Sequence, residues 1–145
     1  MTDYVDSGVL VKLYVREPNS AAAADTVRRL MSVALTALHE LEIRNAFRAL
    51  EGRGIITATQ RAASEHVLET DLATERLRRI GVDWVAVYAR AERLSQEFTA
   101  ATLARSLDIL HVAVALTTGC TRFITADARQ HRLAQNAGLE AELIE

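Results

Sequence analysis

Short apolar runs alternate along this chain with stretches whose apolar residues recur at helical spacing. "DYVDS" predicts a first strand, and "SGVLVKLY" a helix directly behind it. "EPNS" is a turn, with Asn19 or Ser20 placed to cap the helix "AAAADTVRRLM". "VALT" predicts a second strand and "ALHELEIRNAFRAL" an amphipathic helix closed by "EGRG". From Thr57 to about Arg79 the spacing predicts one long helix or two. "DWVAVYARAERLSQEF" is a further helix, and so is "TLARSLDILHVAVALTTG", which Gly119 ends. "RFIT" is a third strand, "DARQHRLAQNAG" a helix with Gly138 past its end, and "EAELI" a terminal strand. Short apolar strands separated by helices predict a parallel sheet covered on both faces, an α/β sandwich. In such sheets, sites gather at the carboxyl ends of strands.

The totals narrow the field without naming a chemistry. A length of 145 residues, half hydrophobic and a quarter charged, predicts one globular domain. The lone Cys120 cannot form an intramolecular disulfide, and no signal peptide is recognisable, so a reducing cytoplasm is expected. No run is long and apolar enough to suggest a membrane span. A formal net charge of −2 argues against gripping nucleic acid by a bulk positive field. It is compatible with an acidic pocket whose metal ions meet a phosphate. Sixteen of the 17 basic residues are Arg, Lys12 being the exception. Arg suits bidentate phosphate contact, though a coding bias towards Arg and Ala is the main account of the excess.

Four carboxylates sit where apolar or neutral residues are expected. Asp6 lies at the carboxyl end of the first strand, where by itself it reads as a helix N-cap; Ser7 offers the same service. Asp127 repeats that geometry after "RFIT", with Thr125 at the same strand end. In the helix after "VALT", wheel positions at ~100° per residue separate two glutamates. With Leu38 at zero, Glu42 falls at about 40°, inside the apolar arc, and Glu40 at about 200°, beside Arg44, its i,i+4 partner. Asp108 is the sharpest case, because "LDILHVAVAL" is apolar on nearly every face except at Asp108 and His111. An ionised carboxylate inside a buried helix costs several kcal/mol unless a cation or donors meet it. His111 reads as a hydrogen-bonded core residue, since hard oxygen-bound metals rarely need imidazole. Four acids converging at one mouth of a sheet would repel one another. A Mg²⁺ or Mn²⁺ ion, which prefers oxygen ligands, resolves that repulsion and supports phosphodiester cleavage.

"YVDSGVLVKLY", "TALHELEIRNAF", "RSLDILHVAVAL" and "FITADARQ" resemble the four acidic motifs of PIN-domain ribonucleases, and more narrowly of VapC-type toxins of bacterial toxin–antitoxin pairs. The resemblance spans nearly the whole chain. It implies a PIN-like three-layer α/β/α sandwich with a short central parallel sheet, as one domain over residues 1–145. It assigns Asp6, Glu42, Asp108 and Asp127 as catalytic and metal-binding acids, with Asp6 and Asp108 the direct ligands and Ser7 and Thr125 in support. It further implies a Mg²⁺-dependent endoribonuclease (Mn²⁺ serving as well), held inactive by a VapB-type antitoxin and homodimeric. Many relatives carry Asn before the last acid; Ala126 stands there in this chain. Arg16, Arg44 and Arg105 are candidates for gripping RNA.

Two other classes fit less of the sequence. Haloacid-dehalogenase-like phosphatases need Asp two residues after the nucleophilic Asp, where Gly8 stands, and a phospho-acceptor receiver domain needs a later Lys than Lys12. An inactive PIN fold that only binds RNA or protein is the other alternative, and retention of all four acids weighs against it. The packing role of Trp84, Tyr88 and Phe98, in a core or at an interface, stays open.

Overall fold

Tyr4 of the first strand lies beside Phe123, almost the whole chain later, with the two rings stacked at 5.3 Å. This pairing fixes the architecture of one half of the computed structural model, which describes residues 2–145. The chain forms two compact units. One comprises the residues up to Asp6 together with Gly81–Glu145, and the other is Ser7–Ile80.

The first unit is built on a three-stranded parallel sheet. Strand β1 (Asp3–Val5) pairs with β4 (Arg122–Thr125), and β4 pairs with β5 (Glu140–Leu143), giving the order β1-β4-β5. Phe123 and Ile124 are fully buried, as a central strand requires. Helix α5 (Trp84–Thr102) packs on α6 (Ser106–Thr117), and α7 (Ala128–Asn136) packs on both and on β4 and β5. Every residue of α6 from Ile109 to Ala115 is buried, so the helix is apolar all round because it is enclosed all round. Gly138 takes φ 93 just beyond α7, a backbone conformation that disfavours side chains, and the chain turns there into β5.

The second unit pairs β2 (Val33–Leu35) with β3 (Leu77–Arg79), again in parallel. Helices α1 (Ser7–Val11), α2 (Ser20–Arg28), α3 (Ala37–Gly52) and α4 (Ala58–Ala73) complete it. Its core includes Val9, Leu10, Ile43, Phe47 and Leu68, with the Tyr14 ring edge-on to Phe47 at 6.1 Å. Both long helices open with reciprocal caps. Thr36 accepts from the His39 N–H while the His39 ring meets the Thr36 N–H; Thr57 and Gln60 do the same for α4.

Three elements differ from the sequence expectation. The stretch from Thr57 to Arg79 is a single helix followed by a strand: α4 ends at Ala73, and residues 77–79 join β2. "LRR" buries only Leu77 and exposes both arginines, so no apolar run announces the strand. The helix expected from Thr102 starts at Ser106 instead. Leu103 adopts a left-handed conformation (φ 56) that ends α5 and breaks the continuity. The first helix is only five residues long, and Lys12, Leu13 and Tyr14 follow it as turns. Among the described residues, no helix is long and apolar enough to cross a membrane.

Candidate active site

The first unit brings three of the four acids together. Asp6 directly follows β1, and its N–H donates to the Ile124 carbonyl at 2.9 Å, one step beyond the paired strand residues. That bond fixes where the side chain leaves the sheet, and Asp6 is 8% exposed. Asp127 follows the neighbouring strand β4. Its N–H donates to Thr125 Oγ1 at 3.0 Å, and its Oδ1 accepts from the N–H groups of Arg129 (2.8 Å) and Gln130 (3.1 Å), capping α7. The capping reading of Asp127 is thus realised in the structure.

Asp108 departs from the sequence reading. It is not set in the middle of an enclosed helix but in the first turn of α6, half-buried, because the helix begins later than its apolar pattern suggests. The helix dipole favours a carboxylate there, and a backbone hydrogen bond from Arg105 meets it. Burial nevertheless pushes the Asp108 carboxyl up to about 6, and the negative charges of Asp6 and Asp127 push in the same direction. The field of two acids on a third identifies one electrostatic cluster. An open cleft of about 360 Å³ meets it, lined by Arg105, Asp108, Ala126, Asp127, Ala128 and Arg129. Ala126 is part of this wall.

His111 is fully buried, as a core histidine should be. The Tyr4 hydroxyl and His111 Nδ1 are 2.6 Å apart, and His111 Nε2 lies 3.8 Å from Asp6 Oδ1. A proton on Nε2, facing the carboxylate, leaves Nδ1 as the acceptor for Tyr4.

The second unit holds Glu42. It is half-buried on α3 beside the buried Ile43, and its Oε1 accepts a hydrogen bond from the Ser7 hydroxyl at 2.9 Å. Glu40 behaves as its wheel position predicts, with Arg44 3.6 Å away. It also receives both arms of the Arg79 fork at 2.9 Å, and that hydrogen bonding holds its carboxyl below the usual range. Among the arginines, Arg105 lines the acidic cleft. Arg44 is committed to Glu69 and Glu40, and Arg16 lines a separate cavity with Ile55 and Ile56.

Sequence reasoning missed Gln130. It is fully buried on the same face of α7 as Leu133 and Ala134. Its side chain meets Thr125, Asp6 and the Asp108 carbonyl. The signal was available in the i, i+3, i+4 spacing of residues 130, 133 and 134, which puts the amide on the apolar face.

Among the described residues, no group of three or more His, Cys, Asp or Glu is placed so that it could hold a metal ion by itself. The donor chemistry still suits a hard cation. The cluster offers carboxylate oxygens in mutual repulsion, and Mg²⁺ needs only one or two carboxylates, the rest of its shell being water and substrate phosphate. In their chemistry the carboxylates gathered here are compatible with such a cation.

Comparison with known proteins bears on the whole arrangement. No curated protein matches the chain in sequence. Solved structures share its fold. The FitAcB complex of Neisseria gonorrhoeae aligns with a TM-score of 0.68 at 16% identity, covering 97% of this chain and 96% of that one. VapBC2 of Rickettsia felis, solved bound to a DNA fragment from its promoter, aligns with a TM-score of 0.68 at 13% identity and covers 100% of both chains. The α/β sandwich expected from the sequence is the fold these proteins share. The family match runs over residues 4–136, from the strand before Asp6 to the end of the helix that Asp127 caps. On that span and that fold, the chain belongs to the PIN domain family.

Proposed function

We propose that this chain is a metal-dependent endoribonuclease, a VapC-type toxin held in check by a cognate VapB-type antitoxin. The observation that carries the reading is the electrostatic cluster of Asp6, Asp108 and Asp127 at a cleft. It leaves Asp108 with a carboxyl pushed up to about 6, a cost that a bound cation relieves. Complexes named for paired components among the solved structures of this fold support an antitoxin partner. Residues 1–145 act as one PIN-like domain in this reading.

Each residue has a defined task. Asp6 and Asp108 would hold Mg²⁺ or Mn²⁺, and Asp127 and Glu42 complete the acidic set named by the family pattern. When bound, the ion supplies charge neutralisation at the phosphate and a lowered water pKa. Glu42 or Asp127 orients the attacking water and accepts its proton. Ser7, hydrogen-bonded to Glu42, and Thr125, hydrogen-bonded to the Asp127 N–H, hold those acids in place. Arg105 stands in the cleft wall, where a guanidinium meets the phosphate backbone of RNA. In-line attack on phosphorus releases a 3′-hydroxyl and leaves a 5′-phosphate. The protein acts as a homodimer in the cytoplasm.

The test is to map the 5′ ends of total RNA after induction of the chain, beside an Asp6→Ala control. Purified protein is then assayed on the mapped RNA with EDTA and with added Mg²⁺. Discrete 5′-phosphate ends that require both Asp6 and Mg²⁺ support the reading. An RNA population unchanged by induction, with no cleavage by the purified chain in Mg²⁺ or Mn²⁺, overturns it.

A further inference from the structure

We propose that Gln130 is a positioning residue that sets the Asp6 carboxylate, and the start of α6, in place for a divalent cation. The inference rests on the proposed metal site and extends it to a residue outside the four acids. Gln130 touches all three clustered acids, Asp6, Asp108 and Asp127. Its backbone N–H donates to Asp127 Oδ1 at 3.1 Å. Its Nε2 donates to Asp6 Oδ1 at 3.1 Å and to the Asp108 carbonyl oxygen at 3.3 Å. Its Oε1 accepts from the Thr125 hydroxyl at 2.5 Å.

The direction of the amide follows from its partners. Asp6 Oδ1 and the Asp108 carbonyl only accept, so Oε1 is turned to the Thr125 hydroxyl, which donates to it while accepting the Asp127 N–H. With the oxygen so engaged, the NH₂ end faces Asp6, and its two protons match two acceptors, a carboxylate oxygen and a backbone carbonyl. The side chain is 0% exposed, so water cannot substitute for either bond. A buried amide with both ends matched has one orientation. It therefore fixes the angle at which the Asp6 carboxylate presents itself, and it ties that angle to the first turn of α6. A leucine or methionine would fill the same space between Leu133 and the sheet, so apolar packing alone does not call for an amide.

Groups that orient metal ligands from behind contribute roughly 10–100-fold to metal affinity. The experiment is Mn²⁺ uptake by the full metal-free chain, followed by titration calorimetry and by the loss of the free-Mn²⁺ electron paramagnetic resonance signal. Wild type is compared with Gln130→Met and Gln130→Glu, with thermal melting measured alongside. Gln130→Met keeps the volume and removes both donors; Mn²⁺ uptake should weaken by roughly 10–100-fold. Gln130→Glu keeps the shape but also loses the donors facing Asp6, so uptake should weaken there as well, against the pull of its added charge. A loss in the charge-adding variant is what a purely structural or purely electrostatic role does not produce. Should Gln130→Met fail to fold, the isosteric Gln130→Glu decides the matter. Wild-type affinity in a folded variant, or tighter uptake by Gln130→Glu, overturns the inference while leaving the metal site intact. A wild-type chain that takes up no Mn²⁺ overturns the metal-site reading and this inference with it.

Discussion

The Ser7 hydroxyl donates to Glu42 Oε1 across 2.9 Å, so the residue directly after Asp6 in the chain is tied to the acid carried by α3. Two glutamates on that one helix are thereby separated by their partners. Glu42 accepts from a neutral hydroxyl, and Glu40 is claimed by the guanidinium groups of Arg79 and Arg44.

Glu42→Gln should therefore lower the rate of RNA cleavage by roughly 10²-fold or more, as loss of a positioned proton acceptor does. Glu40→Gln should leave the rate unchanged and cost at most about 1 kcal/mol of stability, because the pair is largely solvated. The Glu40 carboxyl is held below its usual range, so this cost is present at neutral pH and fades as pH falls through that depressed value. Single-turnover cleavage and urea denaturation at pH 7 and pH 3 check both statements. Equal losses of activity in the two variants would contradict the separation.

Asp108→Asn should abolish metal-dependent cleavage while stabilising the metal-free protein at alkaline pH. The folded-state value of about 6 lies above the ordinary 3.8, so Asp108 favours folding while protonated and opposes it once ionised. A shift of this size corresponds to roughly 3 kcal/mol, and solvent screening of a half-exposed group reduces the expectation to about 1 kcal/mol. The gain should appear as pH rises from about 4 to about 7 and be absent below that window. Denaturant midpoints across that range give the answer; a destabilised variant at pH 8 would show that the charge is already compensated by protein groups.

Mg²⁺ should raise the melting temperature of the wild-type chain, and EDTA should reverse the shift. An ion present at a hundred times its Kd stabilises by roughly 2.7 kcal/mol. The increment should vanish in Asp108→Asn. Identical melting curves with and without Mg²⁺ in the wild type would leave the acids without a cation.

Tyr14→Phe tests the second unit by itself. The Tyr14 hydroxyl donates to Asp71 Oδ2 at 2.6 Å, and burial, with Asp71 adding to it, holds the phenol well above its usual pKa. Its removal should cost roughly 1.5–3 kcal/mol, the usual net contribution of a hydrogen bond to a charged group. Mn²⁺ uptake by the first unit should not change. Denaturation and calorimetry on the same sample measure the two effects separately.

Much of this fold could be read from the chain. β1, β2 and β4 are apolar runs bounded by polar residues, and the acids that follow β1 and β4 mark themselves by interrupting the pattern. β3 could not be read in this way, because it buries one side chain and pairs through its backbone alone. The late start of α6 was hidden for a related reason. "TLARSLD" has neither Gly nor Pro, and Leu103 takes the left-handed turn that such residues usually mark. Gln130 was concealed by its type, since an amide among Arg, His and Arg reads as solvated until its spacing to Leu133 and Ala134 is counted.

The order β1-β4-β5 also governs how the protein comes into being. Ser7–Ile80 is a continuous stretch that emerges from the ribosome early and can close on itself, whereas β1 waits for residues 122–125 before it has a neighbour. Limited proteolysis of stalled nascent chains should find the former protected well before the latter. Synthesis from one end thus acts as a safety catch: Asp6, the first of the four candidate acids to be translated, gains its sheet and its amide only when β4 and the last helix, α7, have been made.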